Sequence, residues 1–182
     1  MLIREFRFGD EPALHGVYHS AIHQIAIRDY TAEQVNAWAP GTLDLEVWEK
    51  RMRGIKPFVA VADGEIVGYG DVQTNGYIDH FFVSGTCPRQ GVGRLLMEQI
   101  HETAKQIGLS ELTSDVSRTA QPFFEYFGFQ VVEQRSPVIR GVIVPNVSMR
   151  KVLVAKIPID SDQQHHEAAS PQLVVVDRSS LR

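Results

Sequence analysis

The run Val83-Ser-Gly-Thr-Cys-Pro-Arg-Gln-Gly-Val-Gly-Arg-Leu-Leu-Met97 limits the fold more than any other stretch of the chain. An aromatic, β-rich segment, Tyr77 to Val83, precedes it and a helical pattern follows, so the order is strand, glycine-bearing turn, helix N-terminus. Gly91 and Gly93 let the backbone approach a ligand closely, and the amides of the first helical turn have no intrahelical partner. Such a site suits a pyrophosphate. Arg89 and Arg94 flank the turn and add charge-assisted hydrogen bonds to phosphate oxygens. No Lys followed by Ser or Thr comes after the second glycine, so this is not a P-loop, and the third glycine of a dinucleotide fingerprint is missing. The plain alternative is a helix start relaxed by glycine.

A second block follows another short strand: Ser114-Asp-Val-Ser-Arg-Thr-Ala-Gln-Pro-Phe-Phe-Glu-Tyr-Phe-Gly-Phe129. Together the two blocks resemble the GNAT superfamily of acyl-CoA N-acetyltransferases. The stretches Tyr30-Thr-Ala-Glu-Gln-Val-Asn-Ala-Trp-Ala39 and Gly76-Tyr-Ile-Asp-His-Phe-Phe-Val83, and Arg140-Gly141 ahead of Met149-Arg150, are most similar to its YafP-like branch of bacterial acetyltransferases. The resemblance covers residues 1–153 as an acetyltransferase domain and leaves 154–182 as a polar tail. It implies an α/β fold with a central mixed sheet and helices on both faces, acetyl-CoA as co-substrate and no metal. The reaction it implies is transfer of an acetyl group to a primary amine, on a small molecule or a peptide, by direct attack in a ternary complex. A non-catalytic acyl-CoA-binding sensor or scaffold is the rival from another class.

In that family the first block grips the coenzyme A pyrophosphate, which points to Arg89, Gln90, Gly91, Val92, Gly93 and Arg94. The second closes the pantetheine channel, which points to Ser117, near where relatives often carry an asparagine, and to Phe123. A backbone amide on the strand before the glycine loop generally polarises the thioester carbonyl, which points to Phe81, Phe82 and Val83. Two departures stand out: Pro88 replaces the usual Gln or Arg and has no amide to donate, and Phe124 occupies the place of a tyrosine that many relatives use as proton donor.

Amide formation from a thioester needs a neutral amine, a polarised carbonyl and a proton for the leaving thiolate. Relatives that use a general base often place it at the positions of Tyr77 or Asp79, so Asp79 is the first choice, directly or through an ordered water. Its structural alternatives are a plain carboxylate or an anchor for the substrate ammonium. His80 has the better intrinsic pKa for a base near neutrality, but strand alternation sets it on the opposite face from Asp79. Tyr126, two residues past Phe124, reaches the sulfur only through a local bend, and otherwise water supplies that proton. Cys87 has nothing adjacent in sequence to lower its pKa and reads as an inert loop thiol. His19, His23, Tyr30, Trp38 and Trp48 are the candidate lining of an acceptor pocket.

The 182 residues suffice for one domain plus an appendage, and 43% hydrophobic residues without a long apolar run fit a soluble globular chain without a membrane span. A formal net charge of -4 disfavours nucleic acid as a partner and mildly favours cationic or amine substrates. The single cysteine excludes an intrachain disulfide and a Cys-rich zinc site. The N-terminus enters a strand pattern with no secretory signal, so the cytoplasm is expected.

Along the chain, the spacing predicts a strand over 2–8, a helix capped by Asp10 and running to Ile27, and a helix from the Thr31/Gln34 capping box to Trp38. A third helix is expected from Leu43 to Arg53, ended by Gly54. Strands 57–62 and 65–72 meet at Asp63-Gly64, and Asn75-Gly76 leads into a strand from Tyr77 to Val83. A helix over 93–107, a strand over 109–116, an aromatic helix over 119–127 and strands over 129–134 and 142–153 complete the domain. The tail reads as a linker with a lone β-prone run, Leu173 to Asp177, an extra edge strand that a second copy of the chain could also accept in a homodimer. His165-His166 reads as a solvated pair in that linker rather than as metal ligands.

Overall fold

The computed structural model describes residues 1–42, 44–87 and 89–153. The first half runs β1 (Leu2–Glu5), α1 (Glu11–Ser20), a π-turn (Ala21–Ile25), a 3₁₀ turn (Ala26–Arg28), α2 (Ala32–Trp38) and α3 (Leu45–Ile55). Then come β2 (Phe58–Ala62), β3 (Glu65–Gly70), β4 (Tyr77–Ile78), β5 (Phe81–Val83) and α4 (Val92–Gln106). The remainder is β6 (Glu111–Ser117), α5 (Gln121–Tyr126), β7 (Gln130–Arg135), the hairpin β8 (Val138–Ile139) and β9 (Val142–Ile143), and β10 (Asn146–Val152).

The mixed strand arrangement is present, divided into two sheets. One is antiparallel in the order β1-β2-β3-β5; the other, β4-β6-β10-β7, contains the parallel pair β4 and β6. The expected single strand from Tyr77 to Val83 is therefore two. Tyr77 and Ile78 pair with Thr113 and Ser114, whereas Phe81 to Val83 pair with β3, and Asp79 and His80 belong to neither ladder. Side chains hold the backbone where the sheets part. The Asp71 carboxylate accepts the His80 amide at 2.6 Å, and the Ser114 hydroxyl donates to the Ile78 carbonyl at 2.9 Å. These backbone groups are satisfied without a neighbouring strand, so the two sheets can splay.

Helices cover both faces of the first sheet. Leu14 and Val17 of α1 and Trp48 and Met52 of α3 pack with Val59 and Tyr69, while Val92 and Leu96 of α4 pack with Ala60 on the other side. Further along α4, Met97, Ile100 and Ala104 pack with Ile78, Leu112 and Met149 of the second sheet. One amphipathic helix thus seals both halves, each large buried side chain contributing about 1.5–3 kcal/mol.

Several local expectations change. Asp10 makes no cap: Arg4 forks its carboxylate at 2.7 and 2.8 Å and the Arg7 amide donates to it at 2.7 Å. Helix α1 ends at Ser20 because its next turn widens into the π-turn. Gly54 lies inside α3, which stops at a left-handed Lys56, φ 45°. The expected first residue of that helix, Leu43, lies outside the described residues, as do Pro88 and the tail with its linker, edge strand and exchanged strand. Arg140 and Gly141, at φ 48° and 81°, turn the β8/β9 hairpin that the expectation of one long strand omits.

Candidate active site

The N-terminus of α4 is left open. Gly91, its cap residue, and Arg89 before it lie in the left-handed region at φ 83° and 61°. No side chain caps the helix, and its first backbone bond runs from the Leu95 amide to the Gly91 carbonyl at 3.1 Å. The amides of Val92, Gly93 and Arg94 are thus left without intrahelical acceptors. A Cβ on Gly91 would meet nothing within 4 Å, so bare backbone opens onto a cleft of about 470 Å³. Arg89, Gln90, Gly91, Val92, Gly93 and Arg94 all line it, together with Arg28 and Cys87.

Next to it lies an apolar slot of about 220 Å³ between Phe81, Phe82, Val83 and Phe123 and the widened π-turn residues Ala21, Ile22 and Ile25. A Cβ on Gly93 would stand 3.2 Å from the Phe123 ring, so a side chain there would push that ring. One edge of β5 is bonded to β3 and the other is not. The Ser84 amide bonds the Val67 carbonyl at 2.9 Å and the Asp71 amide bonds the His80 carbonyl at 3.1 Å, so the even-numbered residues exchange hydrogen bonds with β3. By the alternation of an antiparallel ladder, the Phe81 and Val83 amides face the other way.

Beyond the slot is a cleft of about 670 Å³ with Asp79, His80 and Arg51 in its wall. Arg51 Nη2 donates to both oxygens of Asp79 at 2.8 and 2.7 Å, and Arg51 Nε donates to His80 Nε2 at 3.0 Å. A guanidinium only donates, so His80 Nε2 is the acceptor and Nδ1 carries the hydrogen, which it gives to the Tyr69 hydroxyl at 3.0 Å. Burial pushes His80 down to about 4, with Asp79 opposing and Arg51 reinforcing the shift, so the ring is neutral near pH 7. Asp71, behind the bend, is pushed by burial up to about 6, against the hydrogen bonds from Gln73 and the His80 amide.

Here the alternation expected for Asp79 and His80 fails. Both side chains line the same cleft, with Asp79 Oδ2 and His80 Nε2 3.9 Å apart, because the chain bends between β4 and β5 rather than continuing as a strand. Tyr126 is 74% exposed and lines the phosphate-side cleft instead of the slot or the acceptor cleft. Phe124 turns into the core and carries Tyr126 around to the opposite side of α5. Of the expected pocket lining, Tyr30, Trp38 and Trp48 are in the acceptor cleft; His19 and His23 stack on each other, ring centroids 4.0 Å apart, while His15 and Tyr18 take the cleft positions. The helix face was legible, but where along α1 the cleft falls was not.

The three spaces are one groove. Trp38, Phe82 and Ser117 line both the acceptor cleft and the slot, and Val83, Gly93 and Phe123 line both the slot and the phosphate-side cleft. Among the described residues no three His, Cys, Asp or Glu side chains cluster as metal ligands, and no helix is long and apolar enough to cross a membrane.

Comparison with known proteins decides the family. The acetyltransferase (GNAT) domain family matches residues 26–153. The chain belongs to the GNAT acetyltransferases. It is 33% identical over 148 residues to the uncharacterized N-acetyltransferase YafP of Escherichia coli K12, spanning 81% of this chain and 93% of that protein. A GCN5-related N-acetyltransferase structure from Rhodopseudomonas palustris superposes with a TM-score of 0.80 at 26% identity, covering 84% of this chain and 95% of that one. The paia N-acetyltransferase of Thermoplasma acidophilum, in complex with coenzyme A, shares the fold at a TM-score of 0.60 and 16% identity, covering 84% of this chain and 98% of that one. The groove fits the acyl-CoA of a GNAT enzyme in kind: open amides and three arginines at one end, an apolar slot beside the free edge of β5 in the middle, and a polar cleft at the other.

Arg51, Tyr69 and Asp71 were not singled out by sequence reasoning. Asp71 left a trace, a carboxylate ending the apolar run Val67 to Gly70, whereas Arg51 is one of several charges on an amphipathic helix and left none.

Proposed function

We propose that this GNAT enzyme transfers the acetyl group of acetyl-CoA to a primary amine by direct attack in a ternary complex in the cytoplasm. The observation that supports it is the single groove running from the uncapped N-terminus of α4 to the Asp79 cleft. The Val92, Gly93 and Arg94 amides, with Gln90 and the side chains of Arg89 and Arg94, hold the pyrophosphate. Phe81, Phe82, Val83, Ser117 and Phe123 enclose the pantetheine arm. Acetyl-CoA supplies the acetyl group as a thioester. The Phe81 and Val83 amides, turned into the slot, are the donors that polarise its carbonyl.

Asp79 takes the amine proton, directly or through a water. Each of its oxygens keeps a lone pair beyond the one that Arg51 uses. Both His80 nitrogens are occupied, so His80 positions Arg51 and, through it, Asp79. Water protonates the thiolate. Among the described residues Ser117 is the one hydroxyl-bearing residue that lines both slot and acceptor cleft; its oxygen accepts the Ala120 amide at 3.2 Å and its proton is available to orient that water.

Calorimetric titration with acetyl-CoA, CoA and ATP in parallel tests the donor site. Binding of both CoA species with ATP silent is expected, and no CoA binding overturns the reading. CoA binding without turnover across a broad amine panel would favour the sensor or scaffold instead.

A further inference from the structure

The acceptor cleft spends most of its polar groups on its own walls. Tyr18 donates to the Trp38 carbonyl at 2.9 Å, Tyr30 to the Pro145 carbonyl at 2.7 Å and the Trp48 indole to the Glu11 carbonyl at 2.8 Å. Both nitrogens of His80 are taken, Arg51 is closed by Asp79, and Arg135 is closed by Asp115 and Glu133. Tyr77 and His15 also line the cleft and can either donate or accept, so they do not discriminate between ligands.

Two lining groups are of fixed sign and open to a ligand. Asp79 only accepts, and although Arg51 bridges it, each of its oxygens keeps a lone pair toward the cleft. Arg140, at the tip of the β8/β9 hairpin, sends Nη1 to the Ala37 carbonyl at 2.7 Å and meets no carboxylate among the described residues. Its remaining donors suit an anion.

Resting on the acetyl-transfer reading, we propose that the acceptor is an amine that also carries a carboxylate: Asp79 accepts from its amine and Arg140 donates to its carboxylate. A single guanidinium without a helix N-terminus beside it matches one monoanionic carboxylate better than a phosphate dianion. The aromatic wall of Tyr18, Trp38, Trp48 and Phe82 accommodates an apolar or flat body between the two groups. The acidity of the whole chain, which mildly favoured a cationic substrate, does not describe this cleft, where among the described residues the one charge not met by an opposite charge is positive.

The test compares phenylalanine, β-phenylalanine and aminomethylbenzoate, each against its own carboxamide, by calorimetric binding in the presence of CoA and by acetyl-CoA consumption. At least one acid is expected to exceed its amide by about tenfold in affinity or kcat/KM, the scale of one charge-assisted contact. Arg140→Gln, which keeps a donor for Ala37 but loses the charge, should shrink that ratio to under about threefold, and Arg140→Lys should leave it intermediate. CoA affinity in both variants should stay within about twofold of wild type, which separates a lost contact from a lost fold. Acids that bind no better than their amides, or a preference that survives Arg140→Gln, overturn the proposal. Because the comparison is read by binding as well as turnover, a failed CoA titration on the same sample sinks the acetyl-transfer reading separately.

Discussion

At the end of the groove proposed above for the pyrophosphate, the groups assigned to it come from one contiguous run, residues 89–94, and most are backbone amides. At the acceptor end, Arg51 comes from α3, Tyr69 from β3, and Asp79 and His80 from the bend between two sheets, with Asp71 beneath. The first end needs a local conformation only: glycine at a left-handed cap and an uncapped helix. The second exists only once two sheets have parted and α3 has docked. A backbone cradle should therefore tolerate side-chain changes that do not touch its glycines, whereas a side-chain network should fail at any of its members.

Substitution of Asp79 would break that comparison most sharply. Asp79→Ala is expected to lower kcat with the best amine by about 10²–10⁴-fold, the usual worth of a positioned base, while CoA affinity stays the same. Full turnover in that variant would show that Asp79 is no base. At the other end, Gly93→Val should act in the opposite sense. With Phe123 already 3.2 Å from the position of its Cβ, it should weaken CoA binding by at least about tenfold, read by calorimetry. Unchanged CoA affinity would place the pantetheine arm elsewhere.

A pH titration of stability sharpens the acceptor end. Asp71 is raised from 3.8 to about 6, so its contribution is present below 3.8 and is lost as pH rises through about 6. His80 is lowered from 6.5 to about 4, so its contribution is present above 6.5 and is lost as pH falls through about 4. The two oppose each other over nearly the same window. Asp71→Asn removes the falling component, so the melting temperature of the variant should climb more steeply with pH between about 4 and 6 than that of wild type. Parallel curves would mean that Asp71 does not titrate there. The smallest effect is expected from Tyr126→Phe, whose hydroxyl lies off the reaction end: kcat should change by less than about twofold, and a large loss would restore it as the proton donor.

The α4 cradle was legible because its signals are local. Gly91 and Gly93 at the start of an amphipathic pattern, with arginines on either side, specify a turn and a helix end whatever packs around them. The meander of β2 and β3 was legible for the same reason, since Asp63-Gly64, at φ 52° and 84°, turns the chain by itself. Residues 77–83 were read as one strand because their β-prone composition is continuous, and side-chain alternation then sent His80 away from Asp79. Only the tertiary structure decided otherwise. A buried carboxylate eight residues upstream of Asp79 accepts the amide of His80 and so bends the backbone that composition would keep straight. Tyr126 illustrates the converse, for helical periodicity alone put it opposite Phe124, and with Phe124 packed in the core Tyr126 is exposed.

The sequence by itself determined most of the elements, their order and the glycine-opened helix start, because turn chemistry, capping and hydrophobic periodicity act over a few neighbouring residues. The tertiary structure alone decided where the sheets part, which carboxylate Arg51 holds, and which polar groups of the acceptor cleft remain for a substrate. Those are set by pairings between residues far apart in sequence, whose distances no local pattern encodes.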